Sequence, residues 1–227
     1  MNDTIRSTTN ETAARVRIGP STADRVERLR EVALNEPDIA QDAAWAWIAH
    51  LGQLTDRDHT RGVEQIERLF EQGQVPAPLE GEAEGMMVAY MVAKPVDFMM
   101  RKIGAVWMPW LGKRFDAERE RGENRITNEF GFFTRAIWPT YSTRRGEGER
   151  RGFEFETRVD RGAIEPAVPV LVVDYSRVPQ NPRRIVPSIR DELVQIVPGI
   201  HLGRWLYRRP NDQWKNVAYF ALRTESH

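Results

Sequence analysis

The chain has 227 residues, of which 41% are hydrophobic, 29% are charged and none is cysteine. That is enough apolar material for one barrel-sized core with added helices, and the missing thiols exclude a disulfide framework, a thiolate nucleophile, a zinc ribbon and an iron–sulfur site. Lys plus Arg and Asp plus Glu number 33 each, so no global field draws the protein to nucleic acid or to an anionic membrane.

Residues 1–20 are polar and threonine-rich, with no hydrophobic core of a signal peptide; they read as a disordered tail. No apolar run approaches the ~20 residues of a membrane span, and a cytoplasmic protein is expected. Ser21 and Asp24 have capping-box spacing, and Val26, Leu29 and Ala33 then form one helical stripe over Thr22–Leu34. Pro37 stops that helix. Asp38 and Gln41 repeat the capping spacing, and Ile39, Ala43, Trp47 and Leu51 recur every four residues in a second, tryptophan-rich helix. A third is expected over Asp58–Glu71, where Val63, Ile66, Leu69 and Phe70 share a face and Gly73 is the C-cap candidate. The rigid Val75-Pro76-Ala77-Pro78 stretch marks a seam, separating a helical region (21–74) from a β-domain (79–227).

Beyond the seam the period changes. Met86, Val88, Tyr90 and Val92 alternate with Met87, Ala89 and Met91 in a strand apolar on both faces. Pro95 opens a short helix running to Trp107, with Val96, Met99, Ile103 and Val106 buried. Short strands follow at Arg125–Asn128 and Phe132–Trp138. Arg144–Gly152 reads as a charged hairpin tip, and Phe153, Phe155, Thr157 and Val159 alternate with charged residues. Val168–Tyr175, Ile189–Val197, Ile200–Tyr207 and Trp214–Leu222 complete the series, with turns at Pro198-Gly199 and Asn211-Asp212. The expected fold is therefore mainly β with N-terminal helices: an antiparallel up-and-down barrel of about eight strands, with a short helix after the first. The rival is an open curved sheet with a helix packed into it.

Two segments carry a family resemblance: Gly81-Glu82-Ala83-Glu84-Gly85, and Trp107-Met108-Pro109-Trp110-Leu111-Gly112-Lys113-Arg114-Phe115. They resemble the lipocalin-like, calycin-type proteins of the Gly-x-Trp-x-Gly class, over about the middle quarter of the chain. The resemblance implies a β-barrel with an apolar cavity and says little about biochemistry. Ala83 departs from the pattern, standing where the family has a tryptophan that plugs the closed end; Trp107, Trp110 and Trp138 are candidates to replace it.

Asp174 and Tyr175 end an apolar strand, so one of them must point inward. An inward Asp suits acid–base chemistry and an inward Tyr suits hydrogen bonding to a ligand carbonyl; the plain alternative is that both reach water at the strand's end. His201, beside a turn, is a third catalytic candidate or simply a solvated histidine. Lys113 and Arg114 can hold a carboxylate or enolate at a barrel mouth, or can serve a helix C-terminus capped by Gly112. Arg190 and Glu192 share one face and Asp191 takes the other; an interior Arg190–Glu192 pair would form a polar floor, unless both merely stand at the strand's entrance. Met86, Tyr90, Met99, Trp110 and Trp138 are candidates to line a pocket, with Phe155, Trp205 and Tyr219; ordinary core is the alternative. The histidines (His50, His59, His201 and His227) show no metal-ligand spacing, and no phosphate cradle or nucleophile elbow is present.

These features point to hydrophobic ligand binding, with a small apolar or amphipathic molecule as partner. No cofactor, metal, nucleic acid or membrane span is expected, and the sequence is compatible with a homo-oligomer. The alternative is a cofactor-independent cyclase or isomerase, a ring-forming or cycloaddition enzyme of natural-product biosynthesis that folds a polyketide-like substrate in the cavity. A third reading gives the tryptophan-rich helices a partner-binding role around a filled barrel.

Overall fold

The computed structural model describes residues 21–91, 110–129, 141–182 and 186–225. Within them the chain forms α1 (Thr22–Ala33), α2 (Pro37–Arg57) and α3 (His59–Glu71), followed by nine strands. These are β1 (Gly81–Tyr90), β2 (Trp110–Asp116), β3 (Arg121–Ile126), β4 (Arg144–Arg145), β5 (Arg150–Arg161), β6 (Pro169–Asp174), β7 (Ile189–Val197), β8 (Ile200–Arg208) and β9 (Trp214–Thr224). Every neighbouring pair is antiparallel. The order β3-β2-β1-β9-β8-β7-β6-β5 closes on itself through β3–β5, where Gly122 lies opposite Phe155. The two-residue β4 sits beside β5 outside the ring of eight. Closure removes the open edges that would rule with the rival curved sheet, so the mainly β barrel with helices N-terminal to it is the fold.

The local chemistry that sets these elements is largely as the pattern predicts. Ser21 accepts the Asp24 N–H while the Asp24 carboxylate accepts the Ser21 N–H, completing the capping box. At α2 the prediction fails in detail. The first helix ends before Pro37 as expected, but Pro37 is itself the first residue of α2 and no side chain caps the start; proline at N1 needs no cap for its missing N–H. The buried face of α2 is Ala40, Ala44, Trp47, Ile48 and Leu51, leaving Ile39 and Ala43 exposed. Small alanines at that face let the helix approach the sheet closely. Gly73 follows the C-cap Gln72 and is there for space, since an added Cβ would lie 2.3 Å from Val194.

The helices pack on the outside of the barrel. Val26, Trp47, Ile48, Ile66 and Phe70 share one core with outward residues of the wall, among them Val88, Val170, Val172, Val194 and Leu202. The alternate residues of the same strands (Met87, Leu171, Val173 and Leu193) face the interior cluster, which is why β1 and β6 read as apolar on both faces. Arg30 of α1 ties the layers together, donating to the carbonyls of Ile196 (2.9 Å) and Gln72 (2.8 Å). Gln41 of α2 donates to Pro198 in the β7–β8 turn at 3.1 Å. Among the described residues no helix is long and apolar enough to cross a membrane.

Two expectations need correction. The segment around Gly112 is a strand and not the end of a helix, so Gly112 caps nothing. It lies at a register shift in β2 with φ +141°, and an added Cβ would sit 2.0 Å from the Ala83 carbonyl oxygen. The third strand runs Arg121–Ile126, starting earlier than the expected Arg125–Asn128 because Glu120 turns the chain with φ +50°. The Pro95–Trp107 helix and the Phe132–Trp138 strand lie outside the described residues. Gly112→Ala should lower unfolding free energy in urea by about 2 kcal/mol or more. Gly81→Ala, at φ +78° with nothing within 4 Å of the added carbon, should lose only about 1 kcal/mol. Equal losses would refute the bulge account.

Candidate functional site

Inward positions of β2, β3 and β7, with Tyr175 just past β6, bring polar groups together in an otherwise largely apolar interior. Lys113 lies opposite Ala83 in the β1–β2 register and opposite Asn124 in β2–β3. Its side chain, 2% exposed, crosses the barrel. The Nζ donates to Asp191 Oδ2 at 2.8 Å, Tyr175 Oη at 2.6 Å and Asn124 Oδ1 at 3.0 Å, which uses all three ammonium hydrogens. Tyr175 Oη donates in turn to Asp191 Oδ2 at 2.8 Å and accepts from Asn124 Nδ2 at 3.2 Å. Asn124 also accepts from Trp110 Nε1 at 3.0 Å and donates to the Phe153 carbonyl at 3.0 Å.

Aromatic faces enclose the ammonium. The rings of Phe155, Tyr175, Phe220 and Trp110 lie 5.1, 5.3, 5.5 and 5.8 Å from Nζ, within reach of cation–π attraction. Small residues make room for this packing. The Trp110 ring lies over Gly85 and the Phe220 ring over Gly203, each nearer than an added Cβ would permit. Trp110 therefore fills interior space over Gly85. Burial pushes the Lys113 ammonium below its usual range, against the raising pull of Asp191. Burial, then the Asp191 charge, pushes the Tyr175 phenol well up.

The two ends of the barrel differ. Toward the Pro198–Gly199 turn the interior is solid, with Ala83, Phe115, Leu171, Leu193 and Leu222 all buried. Toward the other end, inward residues Met87, Trp110, Phe153, Ile189 and Trp205 keep part of their surface accessible. Trp205 lies opposite Asp191 in the β7–β8 register, and its indole Nε1 is buried with no hydrogen-bond partner among the described residues. His201 stands at the solid end, opposite Leu222, 1% exposed and with neither ring nitrogen partnered among the described residues. Burial lowers its pKa from 6.5 to about 4.

Of the sequence candidates, Lys113, Tyr175, Trp110, Phe155, Trp205 and His201 thus face the interior. Tyr90 shares the face of Trp205 through Ala218. Asp174 points outward, bonded to Arg158 at 2.6 Å and to Ser176. Arg190 and Glu192 do not form an interior floor: they lie on the outer wall, where the 0%-exposed Glu192 accepts from Arg190 (2.9 Å), Arg204 (3.1 Å) and the Ala163 N–H (2.7 Å). Tyr219 and Met86 join the core beneath the helices. Arg114 lines an outer-wall cleft of about 440 Å³ with Arg121, Arg144, Glu123, Glu154 and Glu156. Its charges are cross-paired there, as Arg144 is with both Glu123 and Glu154, and Phe115 and Phe155 also line it, so the cleft is a lattice of ion pairs that adjoins the interior cluster. Met99 and Trp138 lie outside the described residues. Among those residues no group of His, Asp and Glu is placed to hold a metal.

Fold and site together give a closed antiparallel barrel with a buried ion pair in its interior and, toward one end, inward apolar side chains that keep part of their surface accessible. Comparison with protein-family models, with curated proteins and with solved structures returned no significant match.

A buried pair tolerates loss of both charges better than loss of one. Lys113→Met, which strands Asp191, should lose about 3–5 kcal/mol in chemical denaturation. Lys113→Met with Asp191→Leu should return to wild-type stability or above, and a double variant as unstable as the single would overturn the pairing account. His201 binds its proton more weakly folded than unfolded. Its stabilisation is therefore full above pH 6.5 and is lost as pH falls from there through about 4, a change of about 3 kcal/mol. His201→Leu should flatten that part of the stability–pH curve; an unchanged slope would show that the imidazole is not buried neutral.

Proposed function

We propose that the barrel encloses a small, largely apolar molecule, with its hydrocarbon part in the mouth and a polar group directed at the Lys113–Tyr175–Asp191–Asn124 cluster. The observation that carries this is the asymmetry of the interior: one end is packed solid, while the other leaves apolar side chains accessible just above a buried ion pair. A pair of this kind is often no more stabilising than hydrophobic side chains of similar volume, so its presence supports a role in recognition. The unpartnered Trp205 N–H adds a donor for a ligand acceptor at the same level. Lipocalin-like barrels are the class this reading draws on, and the cysteine-free sequence suits a reducing compartment such as the cytoplasm.

The second reading is a cofactor-independent cyclase or isomerase. Tyr175 touches both Lys113 and Asp191, an arrangement able to shuttle a proton onto and off an enclosed carbonyl compound. Enclosure would supply the remaining effect by holding a flexible substrate in its reactive shape.

Native mass spectrometry of freshly purified protein should reveal a co-purified small molecule, or thermal shifts should identify one from a panel of fatty acids, terpenoids and polyketides. Tyr175→Phe should then weaken binding about tenfold, while Asp174→Asn on the outer wall should leave it unchanged. Failure to find any binder, or equal effects of the two substitutions, would overturn the placement of the site.

A further inference from the structure

We infer that Lys113 forms a covalent imine with an aldehyde or ketone carried by the bound molecule; this rests on the mouth being the binding cavity. The hydrogen-bond inventory of the cluster supports it. In the free protein Lys113 uses three N–H bonds, to Asp191, Tyr175 and Asn124. An iminium nitrogen keeps one hydrogen. Left with only the bond to Asp191, the cluster still satisfies its members: Asn124 Oδ1 keeps the Trp110 indole, and Tyr175 Oη keeps Asn124 Nδ2 and Asp191. Two bonds are thus redundant, and they are the two that imine formation removes.

The charge arithmetic agrees. As the Nζ–carbon bond forms and the carbonyl C=O breaks, two ammonium hydrogens leave with the oxygen as water, and the positive charge stays on nitrogen. Asp191 therefore keeps a cationic partner, avoiding the penalty of a lone buried carboxylate. Asp191, 2.8 Å from Nζ, accepts the proton that must leave before the amine attacks and returns it to the departing oxygen. The four surrounding rings exclude the water that would reverse the reaction and face the retained charge. Desolvation in an apolar pocket also favours the nucleophilic amine. The chain has few competitors: Lys94, Lys102 and Lys215 are its other lysines.

The test uses 4-(dimethylamino)cinnamaldehyde and its allylic alcohol, which matches it in shape and cannot form an imine. The aldehyde should show the red-shifted absorbance of a protonated imine, and sodium borohydride should fix one equivalent at the Lys113 peptide by mass mapping. The alcohol should displace it, and should give no adduct. Lys113→Met should lose trapping at least about tenfold. The double variant with Asp191→Leu, first shown to fold by its unfolding midpoint, should lose it equally. Asp191→Asn should keep the adduct and lose the red shift at a lower pH than the wild type. Binding of both probes with no adduct, or with adduct spread over the other lysines and the N-terminus, would overturn the imine and leave the cavity reading intact. Binding of neither probe would overturn both.

Discussion

A lysine and an aspartate held together inside a barrel set the terms for most of what surrounds them. Removing two ions from water costs several kcal/mol each, and their mutual attraction offsets this only where the remaining donors and acceptors are also met. Lys113 and Asp191 reach that condition through Tyr175, Asn124 and Trp110. Each helper needs its own space. Ala83 opposite Lys113, Gly85 beneath Trp110 and Gly203 beneath Phe220 supply it, and Gly112 lets β2 bulge past the Ala83 carbonyl. The small residues of β1, β2 and β8 thus belong to the same arrangement as the charged ones.

The wall has two outer faces that solve different problems. Under the helices it is apolar, and the polar groups admitted there are paired: Arg204 binds Glu192 and Glu165 while its guanidinium lies 4.0 Å over Phe70. On the side away from the helices, Glu82, Glu123 and Glu149 alternate with Arg125, Arg144 and Arg151 in linked ion pairs. The pairs made by the exposed Arg144 and Glu82 side chains add little individually, while Glu123 and Glu149 are buried among the arginines that neutralise them.

The parts of this architecture legible in the sequence were those with a period. The alternation in β5–β9 and the capping box of α1 gave strands and helix start close to where they stand. Tyr175 and Lys113 were identifiable because one residue of a strand-ending pair must turn inward and because a lysine beside an apolar wall is unusual. Asn124 left no signal, since it sits in the charged run Glu118–Arg125, which resembles a loop, and becomes interior only through β3–β5 pairing. Asp191 was legible as facing opposite to Arg190 and Glu192, but which face was interior depended on the helices. Once they cover the outside, both faces of β7 are buried, and burial no longer distinguishes them. The same ambiguity placed Tyr219 among pocket residues when it packs beneath α3.

Within the closed barrel the first strand, β1, pairs with β9, with Ala83 beside Thr224. β9 is therefore needed to enclose β1. The three helices, whose contacts with one another are local, can form early, but their apolar faces have no complete wall to rest on until β7, β8 and β9 are laid down. Pairing across so many residues is slow compared with helix formation. During synthesis the helical layer must wait with its apolar stripe uncovered until β9 has emerged and paired. A chain stopped short of Trp214 would thus have sticky helices and an open sheet, and would be a target for chaperones and proteases.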